Sequence, residues 1–372
     1  MLKGESKRNS NIELYRIITM LLIVAHHYVV NSGLTGESGP LMLYPQNYKS
    51  LFFFVFGMWG KIGINCFVMI TGYYMCKSAI TLKKFMKLLL EIEFYKIVIY
   101  FIFLLTGYAD FSIKECLKSC LPISEVAQNF SGCYLLFFLC IPFLNILIRN
   151  LTEKQHGILL LLAGFIYTFF GTVPKLSVTM NYVSWFIVVY FIGSYIRLYP
   201  KAIYKNGKIW GNATAICIML SVMSVISLAY LYPRIHIHPF FFVTDSNTFL
   251  AVVVAVSSFL FFINLNLGQN KMVNTIAAST FGVLMIHANS DTMRQWLWKD
   301  TLNNVGMYQS AYCCLYAMIA VIMVFVICSV IDYLRIRFIE RPFFSWWDYN
   351  ESKISMRYKK FEKIMFRLFN HG

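Results

Sequence analysis

Ten apolar runs, each close to the roughly 20 residues a helix needs to cross a bilayer, follow one another along this chain: about 12–32, 51–76, 88–107, 133–150, 157–173, 182–199, 211–232, 248–267, 273–289 and 310–332. Backbone in hydrocarbon must satisfy its own hydrogen bonds, so a succession of such runs can fold only as helix packed on helix. Composition agrees, with 58% of the 372 residues hydrophobic and 13% charged, against roughly 25% charged in a soluble domain. A water-soluble globule is excluded. The expected fold is an all-α, polytopic transmembrane bundle of about ten spans, with residues 1–334 as the membrane domain and 335–372 as a basic tail.

The polar breaks between runs carry turn chemistry, as in Ser131-Gly132, Val173-Pro174-Lys175, Lys205-Asn206-Gly207 and Gly268-Gln269-Asn270. None resembles an interdomain linker, and no fixed-period repeat is visible. A formal charge of +16 would suggest nucleic acid in a soluble chain. Here its placement gives another meaning. With the N-terminus inside, 23 Lys and Arg fall in inside segments and 7 in outside loops, which sets both termini in the cytoplasm and lets the tail rest on anionic lipid. No nucleic-acid partner is expected.

The first run contains Glu13, Arg16, His26 and His27 and lacks a small-residue cleavage site, so it reads as a retained span rather than a signal peptide. Most of the ten cysteines lie in apolar runs as small soft hydrophobes. No metal-ligand spacing appears, and no metal is expected. Cys116, Cys120 and Cys133 lie in or beside an outside loop, where one disulfide could form.

Charged groups cost on the order of 2.5–3.5 kcal/mol within a bilayer, so they are the first places to seek chemistry. On a helix, the eleven steps from Arg16 to His27 return to within about 20° of the same face, some 16 Å further along the axis, while His26 lies about 80° away. That spacing forbids a direct contact but suits a two-station site. The planar guanidinium can hold an anion near the inner edge, and a neutral imidazole deeper in can accept a proton from a hydroxyl. The competing reading has Arg16 snorkelling to headgroups and His27 bonding a neighbouring helix. His287 would sit at a similar height and could share the cavity, relaying protons or positioning substrate with Asn289; an interhelical hydrogen bond explains it equally well. Asn65, Thr71 and Tyr73 could line the same space. Lys61, Glu91, Glu93 and Lys96 read as structural, with Glu93 and Lys96 spaced to pair, and Trp296 and Trp298 read as an interfacial belt.

The string LYRIITMLLIVAHHY resembles the N-terminal signature of the acyltransferase-3 family of integral-membrane O-acyltransferases: an Arg, ten residues, then a His. The likeness continues in GKIGINCFVMITGYYM, with Thr71 where the family has Ser, then in YLLFFLCIPFLN (134–145), FIVVYFIGSYIRLY (186–199), STFGVLMIHAN (279–289) and IRFIERPF. The resemblance implies about ten spans in a bacterial plasma membrane. It implies transfer of an acyl group, usually acetyl, from cytoplasmic acyl-CoA to a hydroxyl of an envelope polysaccharide or lipid-linked sugar. On this likeness His27 and Arg16 are the catalytic pair, with Glu13, Asn65, Tyr73, His287 and Asn289 as candidate substrate-binding residues. Relatives carry an Arg-rich motif after the second span, whereas this chain reads KSAITLKKFMK. Lys83, Lys84 and Lys87 would then join Arg16 at the CoA phosphates, supplying charge without the two-pronged fork.

Two other classes fit the same features. Buried charges and histidines suit a transporter or flippase of an envelope precursor, though no repeat or matched pair of broken helices supports it. A non-catalytic scaffold or sensor leaves the Arg16/His27 spacing unexplained.

Overall fold

The computed structural model describes residues 8–121, 130–176, 178–351 and 353. Most of these residues are helical, with no strand among them. Helices α1 (Ser10–Val30), α2 (Tyr48–Gly57), α3 (Gly60–Met75), α4 (Leu82–Leu105) and α5 (Ile113–Cys120) are followed by α6 (Phe130–Asn150) and α7 (Glu153–Ala163). Then come α8 (Tyr182–Leu198), α9 (Gly207–Ile235), α10 (Phe249–Ile263), α11 (Lys271–Ala278), α12 (Thr280–His287), α13 (Cys313–Arg335) and α14 (Arg341–Tyr349). The chain ascends in α1 from what is here termed the near end of the bundle toward the far end.

The polar breaks serve as helix caps. Asn9, Thr81, Asn181, Asn206 and Asn270 each accept a hydrogen bond from a backbone N–H in the first turn that follows, satisfying donors the helix cannot. Thr152 and Gln155 form a reciprocal capping box at the start of α7.

Among the described residues, six helical runs are long and apolar enough to cross a membrane: residues 10–30, 48–75, 130–150, 153–172, 207–235 and 313–349. Helices α8 and α10 are apolar but shorter. The expected runs 88–107 and 273–289 differ for two physical reasons. Glu91, Glu93 and Lys96 interrupt the apolar character of α4, and the second run breaks at Ser279 into α11 and α12. The outward face of α13 exposes Leu315, Met318, Ile322, Met323, Val326 and Val330, the reverse of a soluble helix and the pattern lipid contact requires.

α1 stands at the centre, packed on α2, α3, α10, α11, α12 and α13. α3 and α8 approach most closely where two glycines meet. A Cβ on Gly72 would lie 2.6 Å from the Tyr190 carbonyl oxygen, and one on Gly193 would lie 2.5 Å from that of Met69. Small residues here let backbone touch backbone, as in membrane helix pairs generally. This clamp fixes α3, and with it Lys61 on its first turn.

At the near end the bundle is tied by charge. Arg335 contacts Glu91 at 3.0 Å, Asp332 at 2.8 Å and Glu340 at 3.0 Å, while Lys87 contacts Glu340 at 2.6 Å and the Tyr95 hydroxyl donates to Asp332 at 2.8 Å. Glu91 thus has a structural role, as its sequence suggested. Farther along α4, Lys96 reaches the lining of a cavity at the far end and donates to the carbonyls of Lys118 and Leu121, holding α5 back along α4. Cys116 and Cys120 are free thiols on α5, and Cys133 is wholly buried in α6. The tail expected over 335–372 begins as a π-helical turn and α14, and residues 352 and 354–372 lie outside the described residues.

Candidate active site

His27 lies in the last turn of α1, beside the far end. Its Nδ1 is 2.9 Å from Nε2 of His287, the last residue of α12. The His287 Nδ1 is in turn 2.6 Å from the backbone oxygen of Val283, one turn earlier. A carbonyl oxygen can only accept, so His287 carries its hydrogen on Nδ1 and, as a neutral ring, presents a bare Nε2. His27 must then donate from Nδ1. Its own Nε2 is left without a hydrogen and is therefore basic. His287 is fully buried, whereas His27 is half-buried and open to a cavity.

That cavity holds about 430 Å³. Its floor includes His26, His27, Lys61, Tyr182 and Leu284, and its rim Asn31, Thr35, His238, Thr244, Asn289 and Arg294, all from loops or helix ends at the far end. A smaller lobe of about 70 Å³ continues beneath the histidines and ends among Met20, Phe67 and Phe281. Lys61 contacts the Tyr182 hydroxyl and lies 5.2 Å from the centre of that ring. His26 is turned aside, its Nδ1 donating to the Gly57 carbonyl at 2.5 Å in the break between α2 and α3. A Cβ on Gly60 would fall 2.2 Å from the His26 ring, so only glycine lets the imidazole lie there. Burial pushes the His238 imidazole below its ordinary range, and it faces the cavity neutral at pH 7.

The acyltransferase-3 profile, described as an acyltransferase domain, matches residues 9–333. The chain belongs to the acyltransferase-3 family. No curated protein and no solved structure matches it. For an acyltransferase-3 protein the arrangement is chemically apt: a basic imidazole nitrogen, its tautomer fixed from behind, faces a cavity of about 430 Å³.

The structure gathers some expected residues and separates others. His27, His287 and Asn289 come together, with Asn289 donating to the Met285 carbonyl at 3.1 Å. Arg16 does not line the cavity, whose lower lobe stops at Met20, one helical turn above it. Its guanidinium turns toward Glu13 at 3.7 Å, and Arg8 approaches the same carboxylate at 3.9 Å. Side chains on a helix lean toward its N-terminus, and the long Arg16 carries that lean away from His27. Asn65 is spent in packing: it donates to the Ser246 carbonyl at 2.6 Å and accepts from the Trp185 indole at 2.8 Å. Tyr73 sits toward the near end, accepting from Arg197 at 3.0 Å beneath its guanidinium. Lys83 pairs with Asp348 at 2.5 Å, Lys84 donates to Ser78 and Ala79, and Lys87 pairs with Glu340.

Two expectations are corrected. Lys61, and with it Lys96, lines the cavity rather than being a purely structural charge. Trp298 is not part of an interfacial belt: it is fully buried, edge-on to Tyr28 and His287 at 5.9 and 6.2 Å between ring centres. The π-helical turn Gln295–Thr301 rotates it inward. Arg294 was hidden by its loop context. The one sequence signal available for Lys61 was its isolation as a cation in an apolar run.

Proposed function

We propose that this protein is a multi-pass plasma-membrane O-acyltransferase that moves an acyl group, most simply acetyl, from cytoplasmic acyl-CoA to a hydroxyl of an envelope polysaccharide or lipid-linked sugar. The near end would face the cytoplasm, both termini would lie there, and ten spans would result if α4, α8, α10 and the α11–α12 pair also cross. The observation that carries the reading is the hydrogen-bond order Val283–His287–His27, which leaves His27 Nε2 as a base in a cavity opening at the far end.

In the reaction the acceptor hydroxyl lies in the cavity and gives its proton to His27 Nε2 as its oxygen attacks the thioester carbonyl. The C–S bond of the tetrahedral adduct then breaks. The departing CoA sulfur takes the proton back from His27, so the products are an ester and a free thiol and the base is regenerated. As His27 becomes an imidazolium, His287 Nε2 accepts a stronger hydrogen bond from it and holds the ring in place. Arg16 and the near-end lysines would attract the donor's phosphates.

Lys83 and Lys87 already have carboxylate partners. A polar cleft of about 930 Å³ bordered by Lys205, Lys208, Asn212 and Asn266 offers the donor's nucleotide end a second place. Replacing Lys83, Lys84 and Lys87 by Gln, and separately Lys205 and Lys208 by Gln, should show which set raises the donor KM. The decisive test of the function is ester analysis of envelope glycans with and without the protein and with its His27→Ala form. One ester lost in both the deletion and the variant supports acyl transfer. Unchanged esters with impaired glycan export would support a flippase instead.

A further inference from the structure

Among the described residues, the charged side chains lining the far-end cavity are Lys61, Lys96 and Arg294, and no carboxylate joins them; Lys96 is already engaged by the α5 carbonyls, which leaves Lys61 and Arg294 as the cations facing the space. Such a lining is expensive in a bilayer protein unless a counter-charge is supplied. Among the described residues, the counter-charges to Lys61 and Arg294 are slight. Lys61 meets the uncharged phenol of Tyr182. Arg294 meets Asp291 at 2.7 Å, but that carboxylate is 96% exposed and screened by water. The Arg294 Nε is buried without a hydrogen-bond partner. His26, His27 and His238 add polar groups but no negative charge.

We propose that the acceptor held in this cavity is an anionic sugar, one carrying a carboxylate or phosphate, which Arg294 grips at the rim and Lys61 at the floor while its hydroxyl reaches His27. The inference deepens the acyltransferase reading and rests on it. A cation needed only for the developing oxyanion would sit beside His27 alone. Here positive charge extends from the floor to the half-exposed rim, where it meets a ligand before any reaction. The guanidinium matches the planar geometry of a carboxylate or the faces of a phosphate. Walls of low dielectric constant strengthen and focus the attraction. Donor phosphates would arrive from the opposite end of the bundle.

The test uses the full chain in lipid nanodiscs and three probes of equal length: an oligosaccharide containing a glucuronate, its neutral glucose counterpart, and the same neutral sugar carrying a terminal phosphate. Equilibrium binding at low salt should favour at least one anionic probe by about tenfold, equivalent to about 1.4 kcal/mol, and the preference should fall in 0.5 M salt. The carboxylate and phosphate arms tell the two anion sources apart. Arg294→Gln and Lys61→Gln should each lower the ratio of anionic to neutral affinity, weakening the anionic probe more than the neutral one. Should Lys61→Gln prove unstable, Arg294→Gln, at the rim, decides alone. Equal binding of neutral and charged probes overturns the proposal, as does a preference that survives Arg294→Gln, or a variant whose only effect is a higher acyl-CoA KM. Efficient transfer to a neutral glycan by the wild type would sink the inference and leave the acyltransferase standing. Absence of any transfer, with anion-selective binding intact, would sink the acyltransferase reading alone.

Discussion

The bundle holds two polar regions of opposite temper. At the near end, Arg335 is surrounded by Glu91, Asp332 and Glu340, with Lys87 and Tyr95 closing the ring. At the far end, His27, Lys61, Arg294 and Asn289 point into about 430 Å³ of space. Both regions place expensive groups within helices. In the first the groups face one another, and their chemistry is consumed in holding α4, α13 and the turn before α14 together. In the second they line open space, where the bare His27 Nε2, the unpartnered Arg294 Nε and the charge of Lys61 can meet a ligand. Buried charge alone therefore does not mark a site in this protein; the direction in which it points does.

The sharpest way to break the contrast is to exchange its consequences. His27→Ala should lower kcat/KM by about 10²–10⁴-fold while the unfolding temperature in detergent stays near wild type. Arg335→Ala should do the reverse. It strands three carboxylates around one lysine and should cost about 3–5 kcal/mol, seen as little folded protein in the membrane. If Arg335→Ala folds normally and loses only activity, the near-end region is a site after all.

A smaller effect is expected from His287→Ala, which removes the acceptor that fixes the His27 tautomer but leaves the base in place. Activity should fall by less than in His27→Ala, and the acid limb of the pH profile should move. A merely structural residue would lower the amount of protein and leave that profile where it was. The smallest effect concerns His238. Its folded pKa lies below the unfolded one, so the unfolded chain binds the proton more readily. Stability should be full above the unfolded value of about 6.5 and decline as the pH falls below it. His238→Gln should flatten that decline, and an unaltered pH dependence of unfolding would show that the imidazole is not the group responsible.

Much of this is legible in the sequence, because period and polarity are local properties. The apolar runs gave the helical bundle, and the capping asparagines marked helix starts. The 100° step also placed His27 and His26 on different faces, and their partners do differ: His287 for one, Gly57 for the other. What could not be read was tertiary. The Arg16 and His27 α-carbons share a face, but the length and lean of the arginine side chain carry it to Glu13. Lys61 and Arg294 stand far apart in the chain and enter one cavity only because the Gly72/Gly193 contact seats α3 against α8 and the turn after α12 folds inward. Asn65 and Tyr73 have the right residue types at the right depth, yet their hydrogen bonds go to Trp185, Ser246 and Arg197.

The Val283 carbonyl that orients His287 is a main-chain atom, and every amino acid at position 283 would supply the same one. The polarity of the two imidazoles is thus written into the helix rather than into any exchangeable side chain. Residues around the cavity can change without erasing the instruction that leaves one ring nitrogen bare. Only unwinding the last turn of α12 would revoke it, so reprogramming this protein for new acceptors should begin at the rim and leave that turn alone.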